Sequence, residues 1–321
     1  MSMNRIVWIQ DESSTDPEQV GLKNSRLAAL SREGLPVPSG FAVTAVSYRE
    51  FVDAARLGPV IEQELRGYRA GRDLVAVGAA IRTAFCDAPL PPVLGDEILA
   101  AYEELGGDGT EVAVRCSPVA PVEEVRDELF LHLNSGAAVV AACRRCFAAL
   151  FGDVAVGNRE LRGPDHLAAA TAVTVQQMVR SDRGASGTVH GESTFVRIQA
   201  AWGLGEPAAE DPDQYSIHPG ARPMIVRHRG GKRIKTVYAG LRGTHAVPTT
   251  PAERSALVLS DDELQVLAQW SLTADTMFER RMELDWARDG ESGRLYLIEA
   301  RPLVFPAISI STTRDVPVLQ R

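Results

Sequence analysis

Apolar positions change period along this chain, and the change divides it. Residues 4–9 (RIVWIQ) read as a strand. Leu22, Leu27, Ala29 and Leu30 recur at helical spacing and predict a helix from Gln19 to Arg32. Gly34 ends it in the C′ role, and Pro36 and Pro38 prevent its resumption. GFAVTA is a short strand, after which Thr44 is placed to cap a helix through SYREFVDAAR. Three further helical patterns cover 58–70, 73–86 and 92–105, and a Gly-Gly-Asp-Gly turn at 106–109 breaks them.

Beyond that turn alternation takes over. EVAVRCS (111–117) and DELFLHLN read as paired strands, followed by a long helix in NSGAAVVAACRRCFAALF. TAVTVQQMV (171–179) is a strand of β-branched residues. STFVRIQAAWG, QYSIHP, RPMIVRHR and KRIKTVYAG are successive strand candidates between Gly, Pro and Asp turns. A helix returns over 260–278, opened by the capping box Ser260-Asp-Asp-Glu263. MELDWA and RLYLIEARP flank the polar loop RDGESG as a hairpin. The pattern is α+β, with a mostly helical start and an antiparallel second half.

Composition narrows the function classes. A chain of 321 residues that is 45% hydrophobic can bury a sizeable core, and its length suggests two lobes. With 34 basic against 42 acidic residues the net charge is -8, so the bulk positive field that grips nucleic acid is absent. No apolar run approaches the ~20 residues that cross a bilayer, and MSMNRIVWIQDESS does not read as a secretory signal. A cytoplasmic protein without nucleic-acid or membrane partners is expected. The basic clusters Arg227–Arg233 and Arg159–Arg162 read as a solvated hairpin and helix end, with an anion site as the alternative. Cys143 and Cys146 form a C-x-x-C inside a helical pattern and lack a second ligand pair, so they read as two thiols on one helix face.

No P-loop, Rossmann fingerprint, G-x-S-x-G or H-E-x-x-H is present. Charged residues instead stand on strands otherwise built for burial: Arg115 in EVAVR, Asp285 in MELDWA, Glu299 and Arg301 in LYLIEARP. Asp285 and Glu299 fall on adjacent strands of the hairpin, where two carboxylates repel unless a cation lies between them, and oxygen ligands suit Mg²⁺. Glu299 and Arg301, two apart, share a face. A metal-and-phosphate site and a buried structural ion pair both satisfy this arrangement.

Several stretches resemble the N-terminal ATP-binding domain of the phosphoenolpyruvate synthase, pyruvate phosphate dikinase and rifampin phosphotransferase family, an ATP-grasp domain. GLKNSRLAALSREGLPVPSGFAVTAVSYREF is similar to the family's opening GGKNA-L-EL…G-PVP-GF-VT…Y-EF, and EVAVRCS to VAVRSS. VTVQQMVRSDRGASG, AAWGLGE, DPDQY and the closing VPTTPAERSALVLSDDEL…MELDWARDGESGRLYLIEARP follow in family order, from Gly21 to Pro302. The resemblance implies a two-lobed ATP-grasp fold with a nucleotide cleft, the first lobe over 1–180, the second over 181–306 and a tail over 307–321. It implies ATP and Mg²⁺ as ligands. Lys23, Arg115 and Arg301 then contact phosphates and act in catalysis. Gln177, Met178 and Val179 receive adenine, Glu206 lies near nucleotide or metal, and Asp285 and Glu299 ligate the metal, standing where the family has Glu and usually Gln.

Departures qualify the implied chemistry. Leu22 replaces the family's second opening glycine, and the phosphate-lid loop becomes the shorter, glycine-free Pro118-Val-Ala-Pro-Val-Glu-Glu-Val-Arg-Asp. Prolines remove the N–H donors that cradle anions. The family stretch FT-DP-TG is cut to TVHGES. His132, His166, His190, His218, His228 and His245 are scattered, with no phosphocarrier motif around any. Two functions remain open: a phosphotransferase passing a phosphoryl group to a histidine of a separate protein or to a small acceptor, and a degenerate domain that binds nucleotide or a partner without efficient turnover.

Overall fold

The computed structural model describes residues 4–119, 129–163, 165–204, 211–218, 220, 223–239 and 243–304. Two antiparallel sheets organise them. The first has the order β1-β2-β5-β3-β4, built from β1 (Ile6–Trp8), β2 (Gly40–Val43), β3 (Val112–Pro118), β4 (Leu129–Leu133) and β5 (Thr171–Gln177). The second has the order β13-β12-β6-β7-β8-β9, from β6 (Ala185–Gly191), β7 (Val196–Trp202), β8 (Asp213–His218), β9 (Met224–His228), β12 (Met282–Arg288) and β13 (Leu295–Pro302). A separate hairpin pairs β10 (Ile234–Tyr238) with β11 (Thr244–Pro248). The helices are α1 (Pro17–Arg32), α2 (Ala45–Ala54), α3 (Leu57–Arg69), α4 (Leu74–Asp87), α5 (Pro92–Leu105), α6 (Gly136–Ala149), α7 (Asp153–Arg162), α8 (Pro251–Ser255) and α9 (Asp261–Met277).

Each sheet packs an apolar face against helices, and β2 is buried on both faces. Val112, Val114, Cys116, Val173 and Val175 share a core with Phe51, Phe85 and Phe147 of α2, α4 and α6. Val189, Ile198, Leu284 and Ala300 share another with Leu264, Leu267 and Trp270 of α9. Helix α1 belongs to both halves: Val20 packs with Val7 and Ala42, while Leu27 and Leu30 join the α9 core. Both carboxylate-capped helices α8 and α9 start in capping boxes, at Thr250/Glu253 and Ser260/Glu263.

Several local expectations need correction. Thr44 stands at the N-cap of α2, but its hydroxyl donates to the Asn4 carbonyl rather than accepting from the helix. The basic run 227–233 is not one hairpin. β9 pairs with β8 and β10 with β11, and Lys232 between them is 2% exposed. Arg159 is not a solvated helix end either. It is buried, donating to His166 Nδ1 at 3.1 Å and to the Leu150 carbonyl at 2.6 Å. Strand β6, central in the second sheet, escapes pattern reading because its two glycines and small residues hide the alternation. Gly187 is required there: a Cβ would strike the Gln199 carbonyl and press on the Trp286 ring. Cys143 and Cys146 are buried free thiols, as the helix-face reading expects. Among the described residues no single helix is long and apolar enough to cross a membrane.

Candidate functional site

The polar faces of the two sheets meet through a small set of charged side chains. Gly21 breaks α1 at φ 76°, ψ 165°, where a Cβ would collide with the Ser117 carbonyl. That break lets the helix restart at Leu22 against the end of β3, where the Asn24 amide donates to Ser117 Oγ at 3.2 Å. Lys23, in the restarted first turn, points its ammonium to Glu299 Oε1 at 3.3 Å. Arg115, on the polar face of β3, reaches Glu299 Oε2 at 3.3 Å, Gln176 Oε1 at 3.2 Å and the Ile298 carbonyl at 2.5 Å. Two cations from the first half thus close on one carboxylate of the second.

The hairpin register puts Asp285 directly opposite Glu299 and Glu283 opposite Arg301, with a bulge after Asp285. Arg301 donates to Asp285 Oδ2 at 2.6 Å and to Glu283 Oε1 at 2.5 Å. Glu299 and Arg301 share a face as the spacing predicts, yet each bonds other partners: Glu299 the two cations, Arg301 the two β12 carboxylates. His190 continues the row, its Nδ1 3.6 Å from Glu283 Oε2.

The two facing carboxyls titrate in opposite directions. Burial pushes Glu299 up, but Arg115, Lys23 and Arg301 outweigh it and hold it below the ordinary glutamate value. For Asp285 burial wins over Arg301 and raises the carboxyl, and the charges of Glu299 and Glu283 push the same way. Asp285 Oδ1 is buried and lacks a hydrogen-bond partner. An orphaned carboxylate oxygen beside a second carboxylate is the donor chemistry that suits a hard cation such as Mg²⁺. Glu299 is less free for that role, since each of its oxygens already faces a cation. Among the described residues no group of three or more His, Cys, Asp or Glu is gathered to hold a metal by protein side chains alone.

Residues 178–184 link the two sheets. The Gln177 amide donates to the Ser39 carbonyl at 2.8 Å and the Met178 amide to the Glu111 carbonyl at 2.9 Å. The Gln177 side chain donates to the Leu105 carbonyl at 2.9 Å, away from Arg115. These three donors are engaged within the protein. Val179 is buried, and its carbonyl accepts from Ser181 at 2.7 Å. Glu206 and the lid segment 120–128 lie outside the described residues.

Lys23, Arg115, Asp285, Glu299 and Arg301 therefore assemble, while the Gln177 side chain at the start of the link turns away from them. Sequence reasoning missed Glu283 and Gln176. Alternation in MELDWA could have found Glu283, two residues before Asp285; Gln176 needs the β3–β5 register, which no local pattern supplies.

The class this arrangement fits is a nucleotide-binding domain of a phosphotransfer family. A family model described as pyruvate phosphate dikinase, AMP/ATP-binding domain, matches residues 17–309, and the chain belongs to that family. It is 34% identical over 342 residues to the phosphoenolpyruvate synthase of Synechocystis sp., covering 92% of this chain and 41% of the relative. To the phosphoenolpyruvate synthase of Pseudomonas aeruginosa it is 36% identical over 321 residues, covering 89% and 40%. To the probable phosphoenolpyruvate synthase of Methanocaldococcus jannaschii it is 31% identical over 320 residues, covering 94% and 27%. The chain spans about two fifths of the length of the first two.

Proposed function

We propose that this chain is an ATP-grasp domain that binds Mg-ATP between its two sheets and passes on a phosphoryl group. The supporting observation is the convergence of Lys23 and Arg115, from one half, on Glu299 beside Arg301, from the other. The three cations now face Glu299, Asp285 and Glu283 and can exchange those carboxylates for phosphate oxygens, the two arginines through their planar forks and Lys23 as a point charge. Lys23, Arg115 and Arg301 take the triphosphate, and the link at Gln177–Val179 takes the base. Asp285, through its unpartnered Oδ1, and Glu299 are the residues to hold the metal. Bound Mg²⁺ would neutralise phosphate charge. The lobes divide near residue 180, and the acceptor is a histidine of a separate protein or segment, or a small molecule.

A second reading, nucleotide binding without efficient turnover, draws support from the lid sequence. Pro118 and Pro121 remove N–H donors where phosphate cradling needs them. ATP turnover with product identification separates the two. AMP plus phosphate, or ADP, formed in the presence of a histidine-bearing partner supports transfer. Saturable Mg-ATP binding with no product under any of these conditions supports the binding module.

A further inference from the structure

At the link end of the first sheet's polar face, a second group of side chains converges that the phosphate-site reading does not use. Glu111 precedes β3 and accepts from the Met178 amide through its carbonyl. Its Oε1 lies 3.2 Å from His132 Nε2. Its Oε2 is withdrawn from solvent and without a hydrogen-bond partner; Arg180 Nη1, at 3.7 Å, is too far for one. Arg180 does not depend on Glu111 for neutralisation, because Asp182 holds it through two bonds of 2.9 and 3.0 Å. His132 keeps a positive φ of 60° on β4, a strained setting for a non-glycine residue, and its amide faces Met178 Sδ at 2.9 Å. Its Nδ1 is likewise buried and unpartnered. Tyr238, from the β10–β11 hairpin, closes the group with its ring 5.0 Å from the His132 ring and 5.9 Å from the Arg180 guanidinium.

Two buried polar atoms here lack partners, beside an aromatic ring and a methionine. We propose that Glu111 selects the nucleobase by accepting a hydrogen bond from an exocyclic amino group, so that a 6-amino purine is taken and a 6-keto purine refused. This rests on the reading that the base lies at Gln177–Val179. An ionised carboxylate only accepts, so an N–H of the base satisfies it while a carbonyl oxygen in the same place is repelled and leaves it unpaired. Sites built on such a bond discriminate far better than apolar pockets do.

Calorimetric titration with ATP and with inosine triphosphate, in magnesium, tests the assignment, since the two ligands differ at position 6 of the ring. The wild-type protein should favour ATP by at least tenfold. Glu111→Gln, which can donate as well as accept, should bring the two affinities within about threefold, mainly by improving inosine triphosphate. Glu111→Asp, which keeps the acceptor, should retain the preference for ATP. Equal wild-type affinity for the two ligands overturns the inference while leaving the ATP site intact, and so does a preference that survives unchanged in Glu111→Gln. If the wild-type protein binds neither nucleotide, the underlying ATP reading fails with it.

Discussion

Two ion-pair networks in the second half look alike on paper and differ in how completely they close. Asp213 and Lys232 are 0% and 1% exposed at their side chains, and the ammonium bonds Asp213 Oδ1. Asp213 also accepts from the Gly230 amide at 2.9 Å, the Val258 amide at 2.8 Å and the Tyr215 hydroxyl at 3.2 Å. Every lone pair has a use, and the pair pins β8 to the turn before β10 and to the chain ahead of α9. In the network of Arg301, Asp285 and Glu283, Arg301 is 41% and Asp285 31% exposed, and Asp285 Oδ1 has no partner. A buried unsatisfied group costs free energy, so the closed network suits a structural role, while the open one keeps an acceptor oxygen that a cation could satisfy.

Breaking the closed network should have the largest effect. Lys232→Met leaves Asp213 buried without its cation, which costs about 3–5 kcal/mol. Urea unfolding should show that loss, and a loss below ~1 kcal/mol would contradict the description of Asp213 as a sealed structural pair. The open network should behave differently. Arg301→Ala should change unfolding free energy by no more than about 1 kcal/mol, because a partly exposed pair contributes little. A destabilisation equal to that of Lys232→Met would place Arg301 with the structural pairs.

The facing carboxylates sharpen the contrast. Magnesium-dependent ATP binding should weaken but persist in Glu299→Gln, whose oxygens are already shared by two cations, and nearly vanish in Asp285→Asn. If both variants keep wild-type magnesium dependence, the metal assignment is wrong.

The smallest effect is in the ligand-free protein as a function of pH. Glu299 titrates below its unfolded value of about 4.3, so its contribution is present above that pH and is lost as pH falls through the folded pKa. Asp285 is raised, so its contribution runs the other way and is lost as pH rises through its own folded pKa. Glu299→Gln should therefore be less stable than wild type at pH 7 by ~1 kcal/mol, with the gap closing under acid. A gap constant from pH 7 to pH 3 would show that Glu299 does not carry this linkage.

Much of this contrast was legible in the residues. The hairpin pattern in MELDWA and LYLIEARP puts Asp285 and Glu299 on adjacent strands and Arg301 on the face of Glu299, and the structure adds the register that sets Asp285 directly opposite Glu299. The capping box at Ser260 announces α9. What stayed hidden depends on partners remote in sequence. RHRGGKR reads as solvated because nothing local reveals that Asp213 waits under Lys232. Strand β6 is masked by Gly187, whose need lies in the Gln199 carbonyl and the Trp286 ring of neighbouring strands. Likewise, spacing suggests that Glu299 pairs with Arg301. Its actual partners, Lys23 and Arg115, come from the other half, and only the packing of α1 across both cores brings them near.

The most direct test of the central claim, that these cations form a phosphate site, is calorimetric titration of Mg-ATP into wild type, Lys23→Ala and Arg301→Ala. Loss of a charge-assisted contact costs about 1.5–3 kcal/mol, so each variant should bind roughly tenfold or more weakly than wild type. Unchanged affinity in both would contradict the account.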